Sequence, residues 1–204
     1  LRYTAAPLPG TEPMLNDMLF YLGPMQSQVG AAERLNSHNS SGHRMFVMIP
    51  TLMLELSSGR LGLPPKHVDD SPDLESMPQI EMGWLSDPSD RLRLREAVRL
   101  VFRLMESDEM ASVIEGAISP PPEELDAEAT DAEIDHWVAH NVITSHHQSS
   151  TCRMGDPADP EVVCDEQGRV LGIEGLRVVD ASLMPDCPRA NTQATTYMMA
   201  ERVA

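Results

Sequence analysis

From Leu176 onward the chain writes an apolar run, Leu176-Arg-Val-Val-Asp-Ala-Ser-Leu-Met-Pro185, then a turn, then Arg189-Ala-Asn-Thr-Gln-Ala-Thr-Thr-Tyr197, whose continuation to Glu201 has helical spacing. A short buried strand ending in Asp-Ala-Ser is a common place for a ligand, which sits beyond the carboxyl end of such a strand. Asn191 is the natural N-cap of the helix that follows. Just upstream, Ser145-His-His-Gln-Ser-Ser-Thr-Cys-Arg-Met-Gly155 puts imidazoles into a loop of small polar residues. A base beside a helix N-terminus is a combination that chemistry on a bound cofactor can use.

The upstream residues read as scaffold. Proline and glycine punctuate residues 1–43, where Met14 to Leu22 is expected as a short helix and Ser37 to His43 as a loop. Arg44 to Leu56 is nearly continuously apolar, so it reads as a strand buried on both faces. Ser57 to Leu63 follows as a turn and a strand in which Gly62 marks a close backbone approach or a bulge. Pro64 to Pro78 is a connection, and Gln79 to Gly83 holds a further short strand. A helix starts at Ser86-Asp-Pro88, with Asp87 able to cap and Pro88 suited to the first position. Leu94, Val98, Val101, Phe102 and Met105 form its apolar face. Arg91, Arg95, Arg99 and Arg103 form a stripe, read as a solvated face rather than as partners of the acidic segment Glu123 to Asp135, because exposed pairs are weak. Ser119-Pro-Pro-Pro122 is a linker. Thr130-Asp-Ala-Glu133 is a capping box opening a helix that buries Ile134, Trp137 and Val138 and ends near Asn141. The order of elements is that of an α+β chain.

Several function classes fall away. A net charge of -17 and a pI near 4.6 argue against an electrostatic grip on nucleic acid or an anionic membrane. The most apolar run, Met45 to Leu56, contains Pro50 and is too short to span a bilayer, so no membrane insertion is expected. Three cysteines without a CxxC favour reduced thiols in a cytoplasmic protein. His136 and His140 have the spacing of a metal-binding pair but lack the glutamate of HExxH, and metal binding is rejected. Ser149 and Ser150 beside an imidazole lack a GxSxG elbow and make a weak case for a hydrolase. Gly168, Gly172 and Gly175 do not make GxGxxG. A nucleotide-binding core is therefore expected upstream of Leu1, in keeping with a chain that opens without methionine.

Together the C-terminal stretches resemble the signature of the glucose–methanol–choline family of flavin oxidoreductases. His147-Gln-Ser-Ser-Thr-Cys-Arg-Met-Gly155 is similar to the family's His-x-x-Gly-Thr-Cys-x-Met-Gly loop, with Ser150 in place of the glycine and Gln148 in place of a frequent proline. Residues 176–185 match the family's strand, and 191–201 match its Asn-Thr-x-x-x-Thr-x-Met-x-Ala-Glu helix. Residues 44–106 resemble the family's substrate-domain pattern.

The resemblance implies FAD as cofactor and a small-molecule alcohol as substrate. It implies a substrate-binding sheet with flanking helices, and a C-terminal strand and helix that complete a Rossmann-like FAD-binding domain supplied mostly by upstream residues. Residues 1–43 would link the two domains, 44–145 would form the substrate-binding domain, and 146–204 would carry the active-site loop and the completing strand and helix. The glycine-rich FAD-binding unit would come from a companion chain or an upstream segment. By position, His147 is the family's base toward the substrate hydroxyl, and Asn191 its second catalytic and substrate-binding residue. Asp180 and Ala181 lie near the flavin's ribityl and pyrophosphate, and Asn191, Thr192 and Gln193 line its pyrimidine edge. The physical chemistry agrees: a reduced flavin carries charge at N1 and O2, which a helix N-terminus stabilises, and imidazole suits a general base. The alternatives are a hydroxynitrile lyase of the same family, in which flavin is redox-idle, and a non-catalytic fragment.

Overall fold

Two units share the chain, residues 1–52 with 88–143 and residues 53–87 with 144–204. The computed structural model describes residues 2–5, 18–24, 46–65, 74–117 and 120–203; the expected loop at Ser37 to His43 lies outside them.

The first unit is built on an antiparallel sheet of β1 (Arg2–Tyr3), β2 (Met18–Pro24) and β3 (Phe46–Leu52), in that order. Met18 faces Leu52 and Phe20 faces Pro50 across β2 and β3. From Met18 on, the segment expected as a short helix is therefore a strand. Its Phe20-Tyr21 pair suits a pleated surface, and a full ladder with β3 outweighs the weak helical preference of Met and Leu. β3 is not buried on both faces, since Phe46 and Ile49 are 48% and 46% exposed. An antiparallel sheet covers one face and leaves the other to solvent. Pro50 suits this position, because among the described residues β3 is an edge strand, where proline is tolerated.

Helix α1 (Pro88–Met105) begins at the proline that the sequence marks. Ala97 joins Ala5, Met18 and Phe20 in the core, and Leu52, Leu94, Leu100 and Val101 pack around them. Asp90 and Arg93 are also buried, paired with each other one turn apart. A short helix α2 (Asp108–Ala111), capped by Ser107, follows. Helix α3 (Asp131–Asn141) opens on the expected capping box: the Thr130 hydroxyl accepts from the Glu133 N–H, and the Glu133 carboxylate accepts from the Thr130 N–H at 2.7 Å. Ile134 and Val138 are buried, and Trp137 is half-buried.

The middle of the arginine stripe is not a solvated face, although Arg91 and Arg103 at its ends are exposed. Arg95 donates Nε and Nη2 to the two oxygens of Asp135 at 2.7 and 2.5 Å and Nη1 to Asp131 at 2.6 Å, while Arg99 donates to Asp131 at 2.7 Å and to the Ala129 carbonyl at 3.2 Å. The i,i+4 spacing of Asp131 and Asp135 on α3 matches that of Arg95 and Arg99 on α1. One guanidinium thereby clasps a carboxylate with both arms, a stronger and more directional contact than a single exposed pair.

In the second unit β4 (Arg60–Gly62) and β5 (Gln79–Glu81) pair antiparallel. The close approach falls at Gly59 and Gly83 rather than at Gly62. A Cβ on Gly59 would meet the Glu81 carbonyl oxygen at 2.2 Å, whereas one on Gly62 would meet nothing within 4 Å. The strand expected at Leu176 to Asp180 is reduced to a single bridge between Arg177 and Arg169. Val178 N–H bonds to the Gly168 carbonyl at 2.9 Å and Val170 N–H to the Leu176 carbonyl at 3.1 Å, so one backbone edge has a partner. A strand needs a ladder, and no second strand among the described residues lies alongside to extend this one. Helix α4 (Thr192–Val203) closes the unit. No helix among the described residues is long and apolar enough to cross a membrane.

Candidate active site

The site grows from a loop stitched to a turn. Asp180 ends the extended run and caps a 3-10 turn, Ala181–Leu183, its carboxylate accepting from the Ser182 N–H at 2.8 Å and from the Ser182 hydroxyl. This turn offers its carbonyls to the histidine loop: Ser150 N–H donates to Ala181 at 3.3 Å, Cys152 N–H to Ser182 at 2.9 Å and Met154 N–H to Leu183 at 2.9 Å. Leu183 and Met184, both nearly fully buried, anchor it. Ala181 is thus tied to the His147 loop through its carbonyl, and Asp180 only through the turn that it caps.

Ser150 stands at φ 73° and His146 at φ 64°, in the left-handed region that favours glycine. The Ser150 position therefore keeps the backbone shape of a glycine despite its side chain. Between these two residues the chain projects His147, which is half-buried, while His146 is exposed. The N–H of His146 and the side-chain amide of Gln148 both donate to the Thr144 hydroxyl, at 2.9 and 2.7 Å, bracing the loop from behind.

His147 and Thr192 meet directly. The ring Nδ1 is 3.2 Å from Thr192 Oγ1, and Thr192 is the buried first residue of α4. Asn191 and Gln193 flank Thr192 in sequence, and both are exposed at the start of the helix. The first turn of a helix leaves N–H groups without intrahelical partners and carries about half a positive charge. The structure thus brings an imidazole to the positive end of a twelve-residue helix.

Cys187 is a neighbour that sequence reasoning missed. Its thiol lies 3.9 Å from the His147 carbonyl oxygen. Burial pushes the thiol up to about 11, the negative charge of Glu55 adds to this, and a hydrogen bond with Ser149 opposes it. It is therefore a neutral thiol near neutral pH, suited to donating weakly to that carbonyl. Nothing in the Asp186-Cys187-Pro188 triplet signals this role. The side chain of Thr192 was also missed, since by position only its backbone faces the flavin; a hydroxyl at a helix start next to a candidate base is the signal that could have found it.

Cys152, Cys164 and Cys187 are all free. Among the described residues no group of three or more His, Cys, Asp or Glu could hold a metal ion.

The sequence profile described as GMC oxidoreductase, a C-terminal domain, matches residues 67–200. The chain belongs to the GMC oxidoreductase family. Within that family it is 42% identical over 127 residues to an oxygen-dependent choline dehydrogenase of Vibrio vulnificus, covering 62% of this chain and 22% of that protein. It is 34% identical over 185 residues to the oxygen-dependent choline dehydrogenase of Ectopseudomonas mendocina, covering 91% and 30%. Among solved structures, pyridoxine 4-oxidase from Mesorbium loti superposes with a TM-score of 0.70 at 25% identity, over 94% of this chain and 34% of that one. The Aspergillus oryzae formate oxidase with the R554A mutation, whose description concerns FAD modification, follows with a TM-score of 0.66 at 25% identity, over 78% and 26%. The chain therefore spans between about a fifth and a third of the proteins it matches. This chain's own mixed helix-and-sheet structure has GMC oxidoreductases as its neighbours, and the formate oxidase carries FAD.

Proposed function

We propose that this chain is the C-terminal part of an FAD-dependent enzyme that oxidises an alcohol, with His147 as general base. The observation that carries this reading is the His147 ring seated 3.2 Å from the first residue of α4. A base then stands beside a helix N-terminus, where one reacting centre would meet both.

The residues fit FAD. The start of α4 at Asn191, Thr192 and Gln193 would hold the pyrimidine edge, where the helix dipole favours negative charge. Asp180 and Ala181, at the turn the histidine loop is laced to, would lie along the ribityl and pyrophosphate. FAD, when bound, would accept a hydride from the carbinol carbon. His147 would take the hydroxyl proton through Nε2, so that loss of one proton and one hydride leaves a carbonyl product. The exposed Asn191 amide would hold the substrate oxygen and stabilise charge developing there. Thr192, Cys187 and the hydrogen bonds from Ser150, Cys152 and Met154 would keep the base in place, which is how an active site avoids reorganising during reaction.

A glycine-rich FAD-binding part, from an upstream segment or a companion chain, completes this account. Supporting it are Tyr197 and Met198 on α4 and Leu176 on the extended run, exposed at 64%, 55% and 47%, apolar surface of the kind another domain covers. The one-sided pairing of residues 176–180 supports it too, because a strand from that part would supply the missing ladder. The three free cysteines support a cytoplasmic location. The test is flavin absorbance of the chain joined to that FAD-binding part: a yellow protein is expected, and a colourless one overturns the reading.

A further inference from the structure

The contact between His147 and Thr192 carries more than proximity. A neutral imidazole holds one hydrogen, and which nitrogen carries it is set by the hydrogen bond the other nitrogen makes. Among the described residues, the ring's only hydrogen-bond partner is Thr192 Oγ1, on Nδ1. Two arrangements satisfy the 3.2 Å distance. If the hydroxyl donates into Nδ1, the ring hydrogen sits on Nε2, and that nitrogen cannot take another. If Nδ1–H donates to the hydroxyl oxygen, Nε2 presents a lone pair.

Only the second arrangement yields a base, so the following rests on the proposed role of His147. We propose that Thr192 is the positioning residue for His147: its hydroxyl oxygen accepts from Nδ1–H and holds the ring in the tautomer whose Nε2 is open to a substrate hydroxyl. The surroundings suit this task. Thr192 is 8% exposed, so water competes little for its oxygen. Its β-branched side chain has few rotamers, and it is rooted at the start of a helix, where its carbonyl accepts from the Thr196 hydroxyl at 3.0 Å. After Nε2 gains a proton, Nδ1–H keeps the same acceptor, so the step needs no rearrangement behind the ring. On the backbone side, the Cys187 thiol lies 3.9 Å from the His147 carbonyl oxygen and 3.7 Å from that of Pro188.

Ring-15N-histidine labelling of the protein joined to its FAD-binding part tests this, with His147 assigned by the signal lost in His147→Gln. With the ring neutral, Nδ1 is expected to carry the hydrogen and Nε2 the lone pair. Thr192→Val, which keeps the shape and removes the hydroxyl, is expected to move the hydrogen wholly or partly to Nε2. Thr192→Ser is expected to restore the original pattern. A hydrogen on Nε2 in the unaltered protein, or a Thr192→Val spectrum with the tautomer unmoved, overturns the proposal. A protein that binds no flavin counts instead against the proposed function, and the same spectra still report the tautomer.

Discussion

The N–H of Ser150 reaches the carbonyl oxygen of Ala181 across 3.3 Å from a backbone held at φ 73°. This first stitch between the histidine loop and the capped turn is made by a residue in the left-handed region. There an L side chain costs roughly 1–2 kcal/mol, while glycine loses about 0.5–1 kcal/mol more entropy on folding. The first effect wins. Ser150→Gly is expected to stabilise the flavin-loaded protein by about 0.5–1 kcal/mol in chemical denaturation, and a loss of stability contradicts the account.

Gly168 is the opposite case. It stands at φ 69°, and an added Cβ would fall 2.6 Å from the Val178 carbonyl oxygen, which is backbone and cannot easily give. Gly168→Ala is expected to destabilise by ~2 kcal/mol and to loosen the pairing of Val178 N–H with the Gly168 carbonyl. Hydrogen exchange at Val178 checks it, with faster exchange expected.

Arg95 joins α1 to α3 through Asp135 and Asp131. Arg95→Ala is expected to cost about 1 kcal/mol in denaturant, with Arg95→Lys intermediate because an ammonium cannot make the two-armed contact. A pH dependence follows. The hydrogen bond from Arg99, joined by the charge of Arg95, holds the Asp131 carboxyl below the usual range. A carboxyl lowered by folding contributes stability above its unfolded value of ~3.9, and that contribution is lost as pH falls through the folded value. Unfolding curves of the unaltered protein and Asp131→Asn should therefore converge below about pH 4. A gap that widens on acidification contradicts this.

Cys187 should resist modification. With its thiol pushed up to about 11, little thiolate exists near neutrality. Iodoacetamide at pH 7.5 is expected to label it on the order of a hundredfold more slowly than an ordinary thiol near ~8.5. Mass mapping of the labelled cysteine decides this, and rapid labelling there contradicts it.

Local chemistry made much of the fold legible. Pro88 and the Thr130–Glu133 box each satisfy their helix start within a few residues, and α1 and α3 begin where those signals stand. What failed depended on distant partners. Met18 to Leu22 becomes a strand because β3 lies beside it, and the arginine stripe meets carboxylates some thirty to forty residues away. The extended run at 176–180 reads as a strand by its apolar residues, yet lacks a ladder on one edge. The meeting of the histidine loop with the helix start was legible in outline because those residues cluster in two ordered motifs. The Thr192 hydroxyl and the Cys187 thiol were not, since their roles depend on how the loop folds back onto the helix.

The central claim is that His147 removes the substrate proton at a flavin. Its most direct test is the anaerobic rate of flavin bleaching by a panel of primary and secondary alcohols in the chain joined to its FAD-binding part, compared with His147→Gln. At least one alcohol is expected to bleach the flavin, and His147→Gln to slow that step by about 10²–10⁴-fold with flavin still bound. Bleaching by no alcohol of the panel, or a near-unaltered rate in His147→Gln, contradicts the account.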